Sequence, residues 1–209
     1  EYFSGIGLEH SESSENGVRP NYFTEWAKSA PRRTLLPHEY THSWNGKFRR
    51  PSDLNTPNFN EPMQDSLLWM YEGQTQYWGY VLSARSGLVS VADSMDSLAQ
   101  TAAWLDARAG RTWRNLQDTT NEPIISRRGA QDWRDWQRGS DYYDEGTLIW
   151  LDADTKIREL SSGKTSLNDV AKAFFGVENG RVKILPYGFD DVVRALNTAA
   201  PHDWATFLH

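Results

Sequence analysis

Leu36-Pro37-His38-Glu39-Tyr40-Thr41-His42-Ser43-Trp44-Asn45 is the stretch from which the rest of the chain is best read. It contains the pattern H-E-x-x-H. On a helix, residues four apart share a face, so His38 and His42 can offer both imidazoles to one ion. Glu39, beside the first of them, stands where a general base for a water at that ion is needed. Pro37 limits the helix that carries them, because proline is accepted in a first turn and disruptive further in. The helix therefore starts near Thr34 or kinks at Pro37, and Asn45-Gly46 is its expected end. Two histidines and a base make a half-site, and a third ligand must come from elsewhere in the chain.

The next strong helical pattern, over 64–86, supplies one. Leu67, Leu68, Met70, Tyr71, Trp78, Val81 and Leu82 make most of its circumference apolar, which predicts a central helix. Glu72, Thr75, Gln76, Gly79 and Ser83 form a polar and small stripe on it, and polar groups on a buried helix need something to satisfy them. Gly73 costs about 1 kcal/mol relative to Ala in a helix interior, so close packing against a neighbour is expected there. The chain has no cysteine, so a metal would be held by His and carboxylate ligands. His38, His42 and Glu72 would leave the fourth tetrahedral position of Zn²⁺ open, the arrangement of a catalytic site.

The remainder of the 209 residues is read more coarsely. Residues 1–10 look extended, with Gly5 and Gly7 allowing another backbone to approach. Residues 11–20 are polar and read as a loop. Asn21 is a plausible N-cap for a short helix over 22–29, ended by Ala30-Pro31. Residues 46–62 are irregular. Helices are predicted over 90–109, 141–161, 167–175 (opened by Ser166), 190–196 and 204–208, with 110–140 loop-like. The expected fold is mainly α with a short β segment at the N-terminus, in a single domain. The chain starts at Glu1 without Met, which points to a piece of a longer protein. A net charge of −6 without a basic block argues against a nucleic-acid partner. No run approaches the roughly 20 apolar residues of a membrane span. The ten Trp and nine Tyr are expected in the core and the cleft wall.

His38-Glu39-Tyr40-Thr41-His42-Ser43-Trp44-Asn45, followed by Leu68-Trp69-Met70-Tyr71-Glu72-Gly73-Gln74-Thr75, resembles the catalytic domain of the M61 family of glycyl aminopeptidases. These are gluzincins, thermolysin-like zincins whose third ligand is a glutamate. Gly5-Ile6-Gly7-Leu8-Glu9-His10 is similar to the family's G-x-x-E-H segment, and Tyr142-Tyr143-Asp144-Glu145-Gly146 to a Tyr-Tyr-x-Lys-Gly stretch. The likeness extends over essentially the whole chain, 1–209. It implies one Zn²⁺ held by His38, His42 and Glu72, with Glu39 as general base. It also implies β-rich segments before Glu1 and a PDZ-like domain after residue 208. Thr41 and Glu145 depart from the family pattern, where an aromatic and a lysine are common.

The resemblance further implies a peptide substrate with a free N-terminus and a small first residue, Gly or Ala. A carboxylate that meets the free ammonium is then needed, and Glu9 is the candidate, with the strand around Gly5 and Gly7 lying beside the substrate. His10 reads as a structural histidine near it. An oxyanion donor is needed besides the metal, which points to Tyr143, with Tyr142 as the alternative. Thr75 or Gln76 is expected to steady a ligand. Two other readings compete: an endopeptidase with the same chemistry, and a peptide-binding module with a residual metal site. The compartment stays open, export being the direction in which the resemblance points.

Overall fold

The computed structural model describes residues 6–121, 132–133 and 135–209. Gly5, with the rest of residues 1–5, and part of the loop expected over 110–140 lie outside them. As expected, the described chain is mainly helical. It opens with a small antiparallel hairpin, β1 (Gly7–Glu9) on β2 (Ser14–Asn16), in which Leu8 faces Glu15. β2 falls in the stretch read as loop. Ser-Glu-Asn carries no strand preference, and only its pairing with β1 makes it a strand. Asn21 caps no helix; its amide donates to Glu25 at 2.6 Å. The helical turn here is a 3-10 segment, Trp26–Arg32, displaced along the chain with Pro31 inside it.

α1 (Leu35–Thr41) follows, with Thr34 as its N-terminal flank. Pro37 is its third residue, where an N–H would have no partner within the helix, so the helix starts early and does not kink. It ends at Thr41 rather than at Asn45-Gly46. The chain turns through 42–46 and leaves by Gly46 at φ 127°, where the Tyr71 ring leaves no room for a side chain. β3 (Arg49–Pro51) lies in the segment read as irregular and pairs in parallel with β4 (Leu185–Tyr187). Parallel strands need a long crossover, so nothing local in either segment announces the pair.

The central helix begins with a π-helical turn, Trp69–Gly73, which runs straight into α2 (Gln74–Arg85). Its polar stripe lies against α1: Thr75 and Ser83 are fully buried, Ser83 Oγ donates to the Arg33 carbonyl, and Gly79 faces the Thr34 carbonyl and His38 Cβ. α3 (Val91–Asp106), α4 (Leu116–Thr120) and α5 (Asp144–Leu160) come next. Gly73 packs on α5 as its position suggested. A Cβ on Gly73 would meet Gly146 Cα at 2.8 Å and the Tyr142 carbonyl at 2.7 Å, so the two backbones touch directly. α6 (Leu167–Phe175) is opened by a Ser166–Asp169 capping box. α7 (Phe189–Ala199) and α8 (Trp204–Phe207) complete the chain.

The core lies between α2, α5, α6 and α7. Trp69 stacks on Trp150 at 5.8 Å, and the Trp150 indole donates to the Trp69 carbonyl at 3.3 Å. Trp150, Ile157, Leu196 and Trp204 are inaccessible, and truncating such a Trp to Ala costs about 3–5 kcal/mol. The tryptophans divide: Trp69, Trp78, Trp150 and Trp204 are core, whereas Trp113, Trp133 and Trp136 are exposed rather than packed as expected. No described helix is long and apolar enough to cross a membrane.

Candidate metal centre and cleft

α1 presents His38 and His42 one turn apart, with their Nε2 atoms 3.0 Å from each other. Glu72, in the π turn, places Oε2 3.3 Å from both nitrogens. Four tetrahedral ligands at about 2.0 Å from an ion stand about 3.3 Å apart, so three donors with these separations fit one zinc-sized cation. Glu72 Oε2 and His38 Nδ1 are buried and make no hydrogen bond among the described residues, which for a carboxylate oxygen is costly unless a cation takes it. His42 and Glu72 already lean on each other. Burial acts first on each, yet their mutual attraction holds Glu72 well below the usual carboxylate range and His42 above the usual imidazole value.

His42 is fixed from behind. Its Nδ1 is 2.9 Å from the Asn45 backbone oxygen, which can only accept, so Nδ1 carries the proton and Nε2 faces Glu72. Asn45 is fully buried. Its amide donates to the Met70 carbonyl (3.0 Å), the Tyr71 carbonyl (3.3 Å) and Thr75 Oγ1 (3.1 Å), and Tyr187 donates to its Oδ1 at 3.4 Å. One side chain thus joins the end of α1, the π turn that carries Glu72, and β4. Thr75, expected near a ligand, is linked to His42 through Asn45 and through Tyr71, whose carbonyl it bonds and whose ring lies 4.9 Å from that of His42. Sequence reasoning saw Asn45 merely as a helix end; its adjacency to the motif was the one available signal.

Glu39 is buried, with its carboxylate against Gly7 of β1 and Oε2 without a hydrogen-bond partner among the described residues. Burial pushes its carboxyl up, Glu9 and Glu72 push it the same way, and His38 and His42 offset this only in part. Glu9, the next carboxylate, accepts a 2.5 Å hydrogen bond from the Tyr71 hydroxyl and lies 3.6 Å from Lys47 Nζ. Burial would raise its carboxyl, but His42, Tyr71 and Lys47 outweigh it and hold Glu9 below the usual value. Donor atoms of Glu9, Glu39 and His42 also lie within 4.8 Å of one another. Three carboxylates around two imidazoles make a strongly cation-attracting place.

His38, Glu39, Gly7, Gln76 and Tyr143 border a cleft of about 430 Å³. Tyr143, one residue ahead of α5, has its ring 6.0 Å from that of His38. Tyr142 is buried in the core, so of the two tyrosines only Tyr143 meets the cleft. His10 is exposed on the hairpin, 3.6 Å from Glu15. Glu145 is held by Arg111 and Arg138, and Thr41 bonds back to the Pro37 carbonyl; neither borders this cleft.

The family model described as M61 glycyl aminopeptidase matches residues 32–149, a narrower span than the whole-chain likeness read from the sequence. It includes His38, Glu39, His42, Glu72 and Tyr143 and leaves out Gly7 and Glu9. No curated protein matches the chain.

Proposed function

The chain belongs to the M61 glycyl aminopeptidase family of peptidases, and from that premise we propose that it is a zinc-dependent aminopeptidase that removes Gly or Ala from peptides. We take residues 1–209 as one thermolysin-like catalytic domain, with β-rich and PDZ-like neighbours in the longer protein. The observation that carries the reading is the triangle of His38, His42 and Glu72, of which His38 borders a cleft together with Glu39 and Tyr143.

When bound, zinc lowers the pKa of a water and polarises the scissile carbonyl. Glu39 accepts the proton of the attacking water and returns it to the leaving nitrogen. The Tyr143 hydroxyl donates to the oxygen that gains negative charge. Glu9, charged at neutral pH, meets the free ammonium, with Gly7 letting β1 lie alongside. Assay of Glu39→Gln on glycine and alanine 4-nitroanilides tests this: turnover should fall about 10²–10⁴-fold with the zinc content unchanged at one per chain. Undiminished turnover overturns the mechanism.

One observation favours a second reading, an endopeptidase. Glu9 is already engaged by Tyr71 and Lys47, which competes with a substrate ammonium. Glu9→Ala separates the two. An aminopeptidase loses its preference for free over N-acetylated peptides, whereas an endopeptidase cuts both alike before and after the change.

A further inference from the structure

Arg19, just beyond β2, and Arg32, at the end of the 3-10 segment before α1, border the same cleft as His38, Glu39 and Tyr143. Neither guanidinium has an ion pair or hydrogen bond among the described residues. The other arginines among the described residues are engaged by a bond or an aromatic ring. Arg33 is bonded to the Leu88 and Trp26 carbonyls, Arg108 and Arg138 to Asp141, Arg111 to Glu145 and Arg158 to Asp154. Arg49 lies over the Phe174 ring, and Arg50, Arg85, Arg114, Arg181 and Arg194 also have bonded partners. Glu25 shares a small hollow with both free arginines, but Asn21 and Lys28 hold it.

The two arginines do not serve the catalytic carboxylate either. The charges that act most on Glu39 are His38, His42, Glu9 and Glu72. An acidic chain, net charge −6, therefore keeps two planar cations in the wall of its cleft that pair with none of its described acids. A guanidinium fork matches a carboxylate with two parallel hydrogen bonds. The cleft, about 430 Å³, is of small-molecule size rather than that of a long groove.

We propose that Arg19 and Arg32 bind a carboxylate of the substrate, so that the cleft selects short peptides with an acidic group a residue or two beyond the cut bond. The claim rests on the peptidase reading and names its substrate class. The carboxylate comes either from the C-terminus of a di- or tripeptide or from an Asp or Glu side chain.

The test is calorimetric binding to the full-length, zinc-loaded protein in a Glu39→Gln background, which prevents turnover during titration. The probes are glycylglycine, glycylglycinamide and glycyl-glutamic acid α-amide. Where the C-terminus supplies the carboxylate, glycylglycine should bind about tenfold tighter than its amide, a ratio equivalent to ~1.4 kcal/mol. The ratio should fall toward one in R19Q/R32Q and shrink at high salt, since both arginines are exposed. Tight binding of the glutamyl α-amide assigns the site to a side-chain carboxylate, and weak binding assigns it to the C-terminus. Equal affinity for acid and amide together with no arginine-dependent binding of the glutamyl α-amide, or no binding of any probe, overturns the proposal. If the arginine-dependent ratio is present but the parent enzyme cleaves no glycyl or alanyl substrate, the peptidase reading fails and the carboxylate site stands.

Discussion

Gly7 lies so close to Glu39 that a methyl group on it would stand 1.8 Å from Oε1 and 2.3 Å from Cδ. The glycine is there for space, since its φ is outside the left-handed region, and the space is filled by the carboxylate of α1. Gly7→Ala must push Glu39 aside or lift the hairpin. A displacement of about 1 Å at a reacting group costs on the order of 10²-fold. We expect kcat to fall by that much with zinc content unchanged, and steady-state kinetics with metal analysis on the purified variant will read it. An unaltered kcat would show that Glu39 is not held by this contact.

Asn45→Ala removes the amide that ties α1 to the Met70 and Tyr71 carbonyls and to Thr75. The His42 Nδ1 partner is a backbone oxygen and survives, but its position no longer does. Loss of such a support usually weakens a metal site 10–100-fold. Competition with a zinc chelator measures the affinity, and Thr75→Val should move it in the same direction by less. Equal chelator midpoints for Asn45→Ala and the parent would rule the role out.

Glu9 supplies a pH signature. Its folded carboxyl lies below the usual 4.5, because His42, Tyr71 and Lys47 outweigh the burial that would raise it. A lowered carboxyl contributes stability above its unfolded pKa and loses it as pH falls through the folded value. Glu9→Gln should therefore lower the stability of the metal-free protein at pH 7, by about 1–2 kcal/mol for a charged hydrogen bond. The gap to the parent should close as the pH drops below 4.5. Thermal melts across that range decide it, and a gap that widens on acidification refutes the assignment.

The two adjacent tyrosines should part company under mutation. Tyr143→Phe keeps the ring beside His38 and removes the hydroxyl; we expect kcat to fall about 10²–10³-fold with little change in melting temperature. Tyr142→Ala empties a core position and should cost about 3–5 kcal/mol in denaturant unfolding. The reverse pattern would exchange their roles.

The gathering of His38, His42 and Glu72 was legible in sequence because helical spacing obeys local rules and an acid in the middle of an apolar helix stands out. The long helices were legible for the same reason, and Ser166 announced the start of α6. What works through the backbone was hidden. Any residue at position 45 has a carbonyl for His42, so the pattern cannot single it out; its amide matters only once α2 lies beside it. Ser14–Asn16 and Arg49–Pro51 are strands only by virtue of their partners, one across a hairpin and one far along the chain, and their own residue types say nothing. The π turn at Trp69–Gly73 leaves no compositional trace either. Arg19 and Arg32 read as ordinary surface charges until the cleft is seen around them.

The contact between Gly73 and Gly146 bears on how this protein can diverge. It neighbours Glu72 on one side and lies one turn after Tyr143 on the other, and it contains no side chain. The spacing between those two groups is thus set by a joint that has no rotamer to turn and no atom to trim. Change in what the cleft accepts must be written elsewhere, in the hairpin and in the rim that carries Arg19 and Arg32, while the joint itself stays as a fixed gauge.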